Sequence, residues 1–171
     1  DPGMSVVVTR SGDPPRVPLE RIAKLVATLA PSLIRDRTGE GLDVKDKRFK
    51  PYSRGYMLAK TAAGRNAGVN LTVTNGLVGS VAAVSVVVTE QGFTIVIAPG
   101  AGTSAAVRFV GGVAKNTGER SPTHSVLGAI HHYGRGRMPA RPWLALSPKD
   151  MESLMRQLLD AGIAIPLRGR S

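Results

Sequence analysis

Between residues 18 and 35, apolar side chains return every three or four positions. Ile22, Leu25, Val26, Leu29 and Leu33 fall on one side, and Glu20, Arg21 and Lys24 fall off it. That period predicts an amphipathic helix over 18–35. Pro18 takes the first helical position, where a missing N–H costs nothing, and Pro31 interrupts the helix only locally. From Arg35 to Arg65 the pattern collapses into charge, and 36–65 reads as a long basic loop, open to motion, with Tyr56, Met57 and Leu58 as anchors for a short helix inside it. Val69–Val73 then alternates as a half-buried strand does, and Thr74-Asn75-Gly76 breaks it. Leu77–Ser80 reads as a single helical turn capped by Thr74 or Asn75. Val81–Thr89 and Phe93–Ala98 read as strands joined by a hairpin turn at Glu90-Gln91-Gly92. After Pro99 comes a glycine-rich bend, then a last strand over Ala105–Val113.

Two more helices follow. Thr123 caps the first, with Val126, Leu127, Ile130 and Tyr133 on its apolar side and Gly134 as its stop. Residues 135–142 are basic and rich in Gly and Pro, and form a loop. Ser147-Pro148-Lys149-Asp150 combines an N-cap, a proline at N1 and an acid at N3. It opens a helix with a buried stripe of Met151, Leu154, Met155, Leu158 and Leu159, ending near Gly162. The expected fold is α+β: an antiparallel meander of about four strands, packed by the N-terminal helix, a second helix near 123–133 and the C-terminal helix. No internal repeat is present, and 171 residues fit a single domain over 1–171. Met4 reads as the natural start, with Asp1, Pro2 and Gly3 an addition ahead of it.

Composition narrows the function. There is no cysteine, so disulfides and thiolate metal sites are excluded, and a reducing compartment is the simplest expectation. The most apolar stretch, Val78–Val88, is broken by Gly79, Ser80 and Ser85 and falls short of the ~20 residues that span a bilayer. Nor does the N-terminus resemble a signal peptide. The net charge of +11 favours an anionic partner, such as phosphate, anionic lipid or an acidic protein face. Three Phe, three Tyr and one Trp argue against base-stacking platforms, so nucleic acid would be met through its phosphates.

Candidate chemistry is thin. Gly100-Ala101-Gly102-Thr103-Ser104 contains G-x-G, but no GK[ST] follows and the next residues read as strand, so a strand connection is favoured over a phosphate cradle. His131 and His132 are adjacent and point about 100° apart on a helix, so they do not share one metal. His124 lies about two turns earlier, and no nearby acid completes a ligand set. No serine sits in a G-x-S-x-G elbow, and the twelve carboxylates offer no spaced pair. The expectation is a non-enzyme with no catalytic residue, no cofactor and no metal. Two basic clusters carry more weight: Arg135, Arg137 and Arg141 in one loop, and the run Lys45, Lys47, Arg48, Lys50, Arg54, Lys60 and Arg65, faced only by Asp46.

Four segments, in this order along the chain, resemble one family. They are Phe49-Lys50-Pro51-Tyr52-Ser53-Arg54-Gly55-Tyr56 followed by Lys60, Leu71-Thr72-Val73-Thr74-Asn75-Gly76-Leu77-Val78-Gly79-Ser80, Ile130-His131-His132-Tyr133-Gly134, and Pro139-Ala140-Arg141-Pro142-Trp143-Leu144-Ala145-Leu146-Ser147. They are similar to the P-x-S-x-x-Y, L-T-x-T-G-x-M-L-x-S, I-H-x-F/Y-G and P-A-R-P-F-L-G-L-S stretches of tailed-phage virion-morphogenesis proteins, also called tail-completion, neck or head–tail joining proteins. Asn75 stands where that family favours Gly, Trp143 where it has Phe, and Ala145 where it has Gly. The resemblance implies a structural protein that completes the tail or joins it to the head, as a ring of identical subunits, a hexamer being the expected ring. Its implied partners are copies of itself, tail tube and head connector proteins, and DNA phosphates in the lumen, with no membrane. Its implied place is the virion, after assembly in the bacterial host cytoplasm. The candidate contact residues are Tyr52 and Tyr56 in the long loop, and Arg135, Arg137, Arg141 and Trp143 around the second, Trp143 being read more readily as core. The alternative is an accessory protein that binds DNA nonspecifically through its basic loops.

Overall fold

Val6–Ser11 (β1), Ala82–Thr89 (β2) and Gly92–Ala98 (β3) form one antiparallel sheet in the spatial order β1-β3-β2. These elements come from a computed structural model that describes residues 5–11, 18–62, 68, 69, 71, 76–102, 107–110, 113–116, 123–136 and 138–163. Asp1, Pro2, Gly3 and Met4 lie outside the described residues. The hairpin between β2 and β3 turns at Glu90 and Gln91, where the sequence predicts it, with Thr89 opposite Gly92. Phe93, Ile95 and Ile97 alternate onto the buried face of β3, and Leu19–Gly39 (α1) packs across β2 and β3 on that side.

The fold class is α+β, but the meander differs from the expected one. Three strands form the sheet rather than about four, and the third is β1. Its Val6-Val7-Val8 run gives too little alternation to read as a strand. The expected strand over Val69–Val73 is not one at its described residues: Leu71 is buried with φ +54°, left-handed backbone that a leucine adopts only at a cost of roughly 1–2 kcal/mol. Its remaining residues, and the caps Thr74 and Asn75, lie outside the described residues. The expected last strand, Ala105–Val113, instead becomes two, Val107–Val110 (β4) and Val113–Asn116 (β5), paired with each other in a separate ladder.

The helices follow their start and stop signals more closely. Pro18 sits one position before α1, and Leu19, Ile22, Ala23, Val26, Ala30 and Ile34 form its buried face. Leu25, Leu29 and Leu33 flank that face, half-buried. Pro31 stays inside the helix, which runs on to Gly39, beyond the expected end, because Arg37 and Thr38 are buried. The stretch expected as one loop over 36–65 therefore begins in α1 and includes a second helix, Arg54–Ala62 (α2), around Tyr56, Met57 and Leu58. Between them, Leu42 and Arg48 pair in an isolated bridge. Arg65 lies outside the described residues. Gly76–Gly79 (α3) is the expected single turn.

His124–Tyr133 (α4) is capped by the Thr123 hydroxyl, which accepts from the Val126 N–H. Pro148–Asp160 (α5) opens on a full capping box: Ser147 Oγ accepts from the Asp150 N–H, and the Asp150 carboxylate accepts from the Ser147 N–H. On α5 only Leu154 and Leu158 of the predicted stripe are buried, while Met151 and Leu159 are exposed, because α1 covers a single narrow face. On α4, Val126 and Tyr133 are likewise exposed rather than packed. Ser147→Ala should lower unfolding free energy by about 1–2 kcal/mol, read as a shift in urea midpoint. It removes both the cap and the 2.7 Å bond from Ser147 Oγ to Asp46.

Candidate partner-binding site

The segment from Gly134 to Ser147 joins α4 to α5 without regular structure, and its backbone groups must find partners elsewhere. Gly134 opens it at φ +78°, where a Cβ would lie 2.8 Å from both the Met138 carbonyl and the Ala140 nitrogen, so only glycine fits. The Arg141 N–H donates to the His131 carbonyl at 2.8 Å, and the Val44 N–H donates to the Pro142 carbonyl at 3.1 Å. His132 Nδ1 accepts from the N–H groups of Trp143 and Leu144, both at 3.4 Å. The Trp143 indole N–H donates to the Gly128 carbonyl at 3.2 Å. The segment is thus a strap, pinned along most of its length.

Two arginines do most of the pinning. Arg37 is buried; its guanidinium pairs with Asp150, donates to the Trp143 carbonyl, and donates to the Ala145 carbonyl at 2.8 Å. Burial holds its pKa below the ordinary arginine range, opposed by the charge of Asp150. Asp46, held at φ +58°, accepts from Ser147 Oγ at 2.7 Å and ties the connection after α1 to the same end of α5. Arg141 is also buried, and it donates to the carbonyls of Lys50 and Pro51 at 3.0 and 3.2 Å. Its guanidinium lies 4.8 Å from the Tyr52 ring centre, a cation–π distance. Tyr52 also meets the Tyr56 ring at 4.7 Å and the Lys60 ammonium at 5.2 Å. Lys60 is fully buried and donates to the Gly68 carbonyl at 2.9 Å. Burial pushes the Tyr52 phenol up to about 12, helped by Tyr56 and opposed by Arg141.

The six candidate contact residues therefore separate. Tyr52 and Tyr56 are half-buried members of one aromatic and cationic cluster, and Arg141 is its staple rather than a surface charge. Trp143 is fully buried, which places it in the core and withdraws it from surface contact. Arg135 is exposed, in a tight turn where it bridges to Met138. Arg137 lies outside the described residues. No local signal separates Arg141 from Arg135 in the sequence, because the carbonyls that enclose Arg141 belong to Lys50 and Pro51.

What the strap presents outward is its tip. Tyr133 is 71% exposed and Met138 is 40% exposed, and both flank Arg135. An aromatic, a methionine and an arginine held on a pinned turn have the composition of a protein–protein contact. Tyr133 and Met138 are absent from the sequence-derived set because helical spacing assigns Tyr133 to the packed side of α4. A second surface is electrostatic. Lys45, Lys47, Arg48, Lys50 and Arg54 are all exposed, and none makes an ion pair among the described residues. Asp43 spends its carboxylate on the backbone, accepting from the N–H groups of Lys45 and Lys47 at 2.8 and 3.0 Å.

Among the described residues no group of three His, Asp or Glu side chains gathers as metal ligands, and no helix is long and apolar enough to cross a membrane. The glycine-rich bend meets α4 through a bond from the His124 N–H to the Gly102 carbonyl at 2.8 Å. No family model, no curated protein and no solved structure matches the chain.

Proposed function

We propose that the chain is a non-catalytic structural subunit of a tailed-phage virion, which completes the tail or joins it to the head as one copy in a ring of identical subunits. The observation that supports this reading most is the meeting of the family-like segments in space. Arg141 from the fourth segment binds the carbonyls of Lys50 and Pro51 and stacks on Tyr52 from the first. His131 and His132 from the third accept from the backbone of the fourth, and α3 from the second packs against α4. Segments that lie from about ten to about 90 residues apart are thereby tied to one another, and the strap's tip stays exposed. On this reading a ring of six subunits contacts tail tube and head connector proteins, and no cofactor takes part.

The exposed cations of residues 45–54 favour a second reading, an accessory protein that binds duplex DNA nonspecifically. Salt separates the two. Five cations neutralising five phosphates give a slope of log K on log salt near −4.5, that is about −0.9 for each phosphate. A ring subunit should bind free duplex feebly and instead cap isolated tail tubes, seen as rings at tube ends in negative-stain images. Tight, steeply salt-dependent duplex binding with bare tube ends contradicts the structural reading.

A further inference from the structure

We propose that the subunits of this ring join edge to edge, β2 of one copy pairing with β1 of the next. The inference rests on the ring reading and assigns its interface. In the sheet order β1-β3-β2 both outer strands lack a partner on their far side among the described residues. Both edges lack proline; Arg10 is the one charged residue of β1, Ala82–Thr89 has none, and the one interruption of β2 is its bulge between Ala83 and Ser85. Val7 is 56% exposed and Val87 is 53% exposed, and the ladder puts both on the sheet face away from α1. Val7 lies opposite Val96, and Val87 lies opposite Thr94. Past the bulge between Ala83 and Ser85, β2 offers a regular run from Ser85 to Thr89.

Charge selects the occupant. A chain of net charge +11 repels its own copies, and an anionic partner would be drawn to the basic run of residues 45–54. The strand edges, with Arg10 as their one charged residue, are where a second copy approaches at least electrostatic cost. Two-fold pairing of β2 with β2 would cover one edge and leave the apolar β1 edge open. Head-to-tail pairing covers both with a single kind of contact, and such a contact gives a ring where its rotation closes. Because β1 and β2 are each antiparallel to β3, they run parallel to one another, and the new ladder is a parallel one.

The chain's lack of cysteine makes cross-linking a clean test. Val87→Cys is mixed under oxidising conditions with Val7→Cys or with Thr9→Cys, same-face positions that bracket a two-residue slip in register. The expected result is a disulfide dimer in at least one mixture, none in any single variant alone, and loss of the ring mass in Val87→Lys by native mass spectrometry. Dimers formed by Val87→Cys alone show two-fold pairing and overturn the proposal. A ring that gives no cross-link in either mixture overturns the interface and leaves the ring reading intact. A chain that stays monomeric with its tail tube partner present overturns both.

Discussion

Arg37→Ala should be the most damaging single substitution on the strap, lowering unfolding free energy by about 3–5 kcal/mol. The wild-type guanidinium answers three buried acceptors at once: the Asp150 carboxylate and the carbonyls of Trp143 and Ala145. Truncation leaves Asp150 charged at a site where burial already pushes its pKa up, and leaves two carbonyls without their donors. Against a total stability of roughly 5–15 kcal/mol, that loss is large enough to expose the strap. Urea unfolding should show it as a fall in midpoint with little change in slope. Arg37→Lys should recover only part of the loss, since one ammonium does not reproduce a fork that spans a carboxylate and two carbonyls. The double change Arg37→Met with Asp150→Leu should cost less than Arg37→Ala, because no buried charge then remains unpaired.

Acid should loosen the same region over a defined window. His131 is held to a pKa of about 4, first by burial and second by the charge of Arg141 beside it. Its Nδ1 is buried without a hydrogen-bond partner among the described residues. His132 is also lowered by burial, and its Nδ1 must stay unprotonated to accept from Trp143 and Leu144. At His131 the unfolded chain takes up a proton near pH 6.5, whereas the folded chain refuses it until near pH 4. The stability that neutral imidazole supplies is therefore complete above pH 6.5 and is lost as pH falls toward 4, by on the order of 3 kcal/mol. Carboxylates titrate at the lower end as well, so the informative quantity is the difference from His131→Gln. That variant should show a flatter decline between pH 6.5 and 4 in parallel urea titrations.

The parts of the fold legible in the sequence are those whose signals are local. Ser147-Pro148-Lys149-Asp150 contains a helix start within four residues, and Gly134 marks a stop by the one backbone conformation it permits. The hairpin at Glu90-Gln91 is fixed by the two runs of β-branched residues around it. Other features are set by partners far along the chain. Nothing near Arg37 says that it is buried, because its acceptors lie more than 100 residues away. Arg141 reads as one more positive charge in a basic loop until the carbonyls of Lys50 and Pro51 enclose it. β1 is a strand because β3 offers it an edge, and three adjacent valines carry no period that announces this. The contact set changes for the same reason. Buried partners draw Arg141 and Trp143 inward, and the exposed tip passes to Tyr133, Arg135 and Met138.

The rigidity of the strap connects these features to the proposed role. A contact turn held by two buried arginines, a histidine and a tryptophan loses little freedom when a partner docks on it, which favours stable assembly. In the proposed ring the strand edges would provide the lateral contact, while the tip would face a different component. The central claim is that this chain joins or completes a phage tail, and deleting its gene from the parent phage or prophage, inducing it, and imaging the particles tests that claim most directly. The account predicts DNA-filled heads separate from unattached or over-long tails, with infectivity restored by the wild-type gene. Normal, infectious virions from the deletion strain would contradict it.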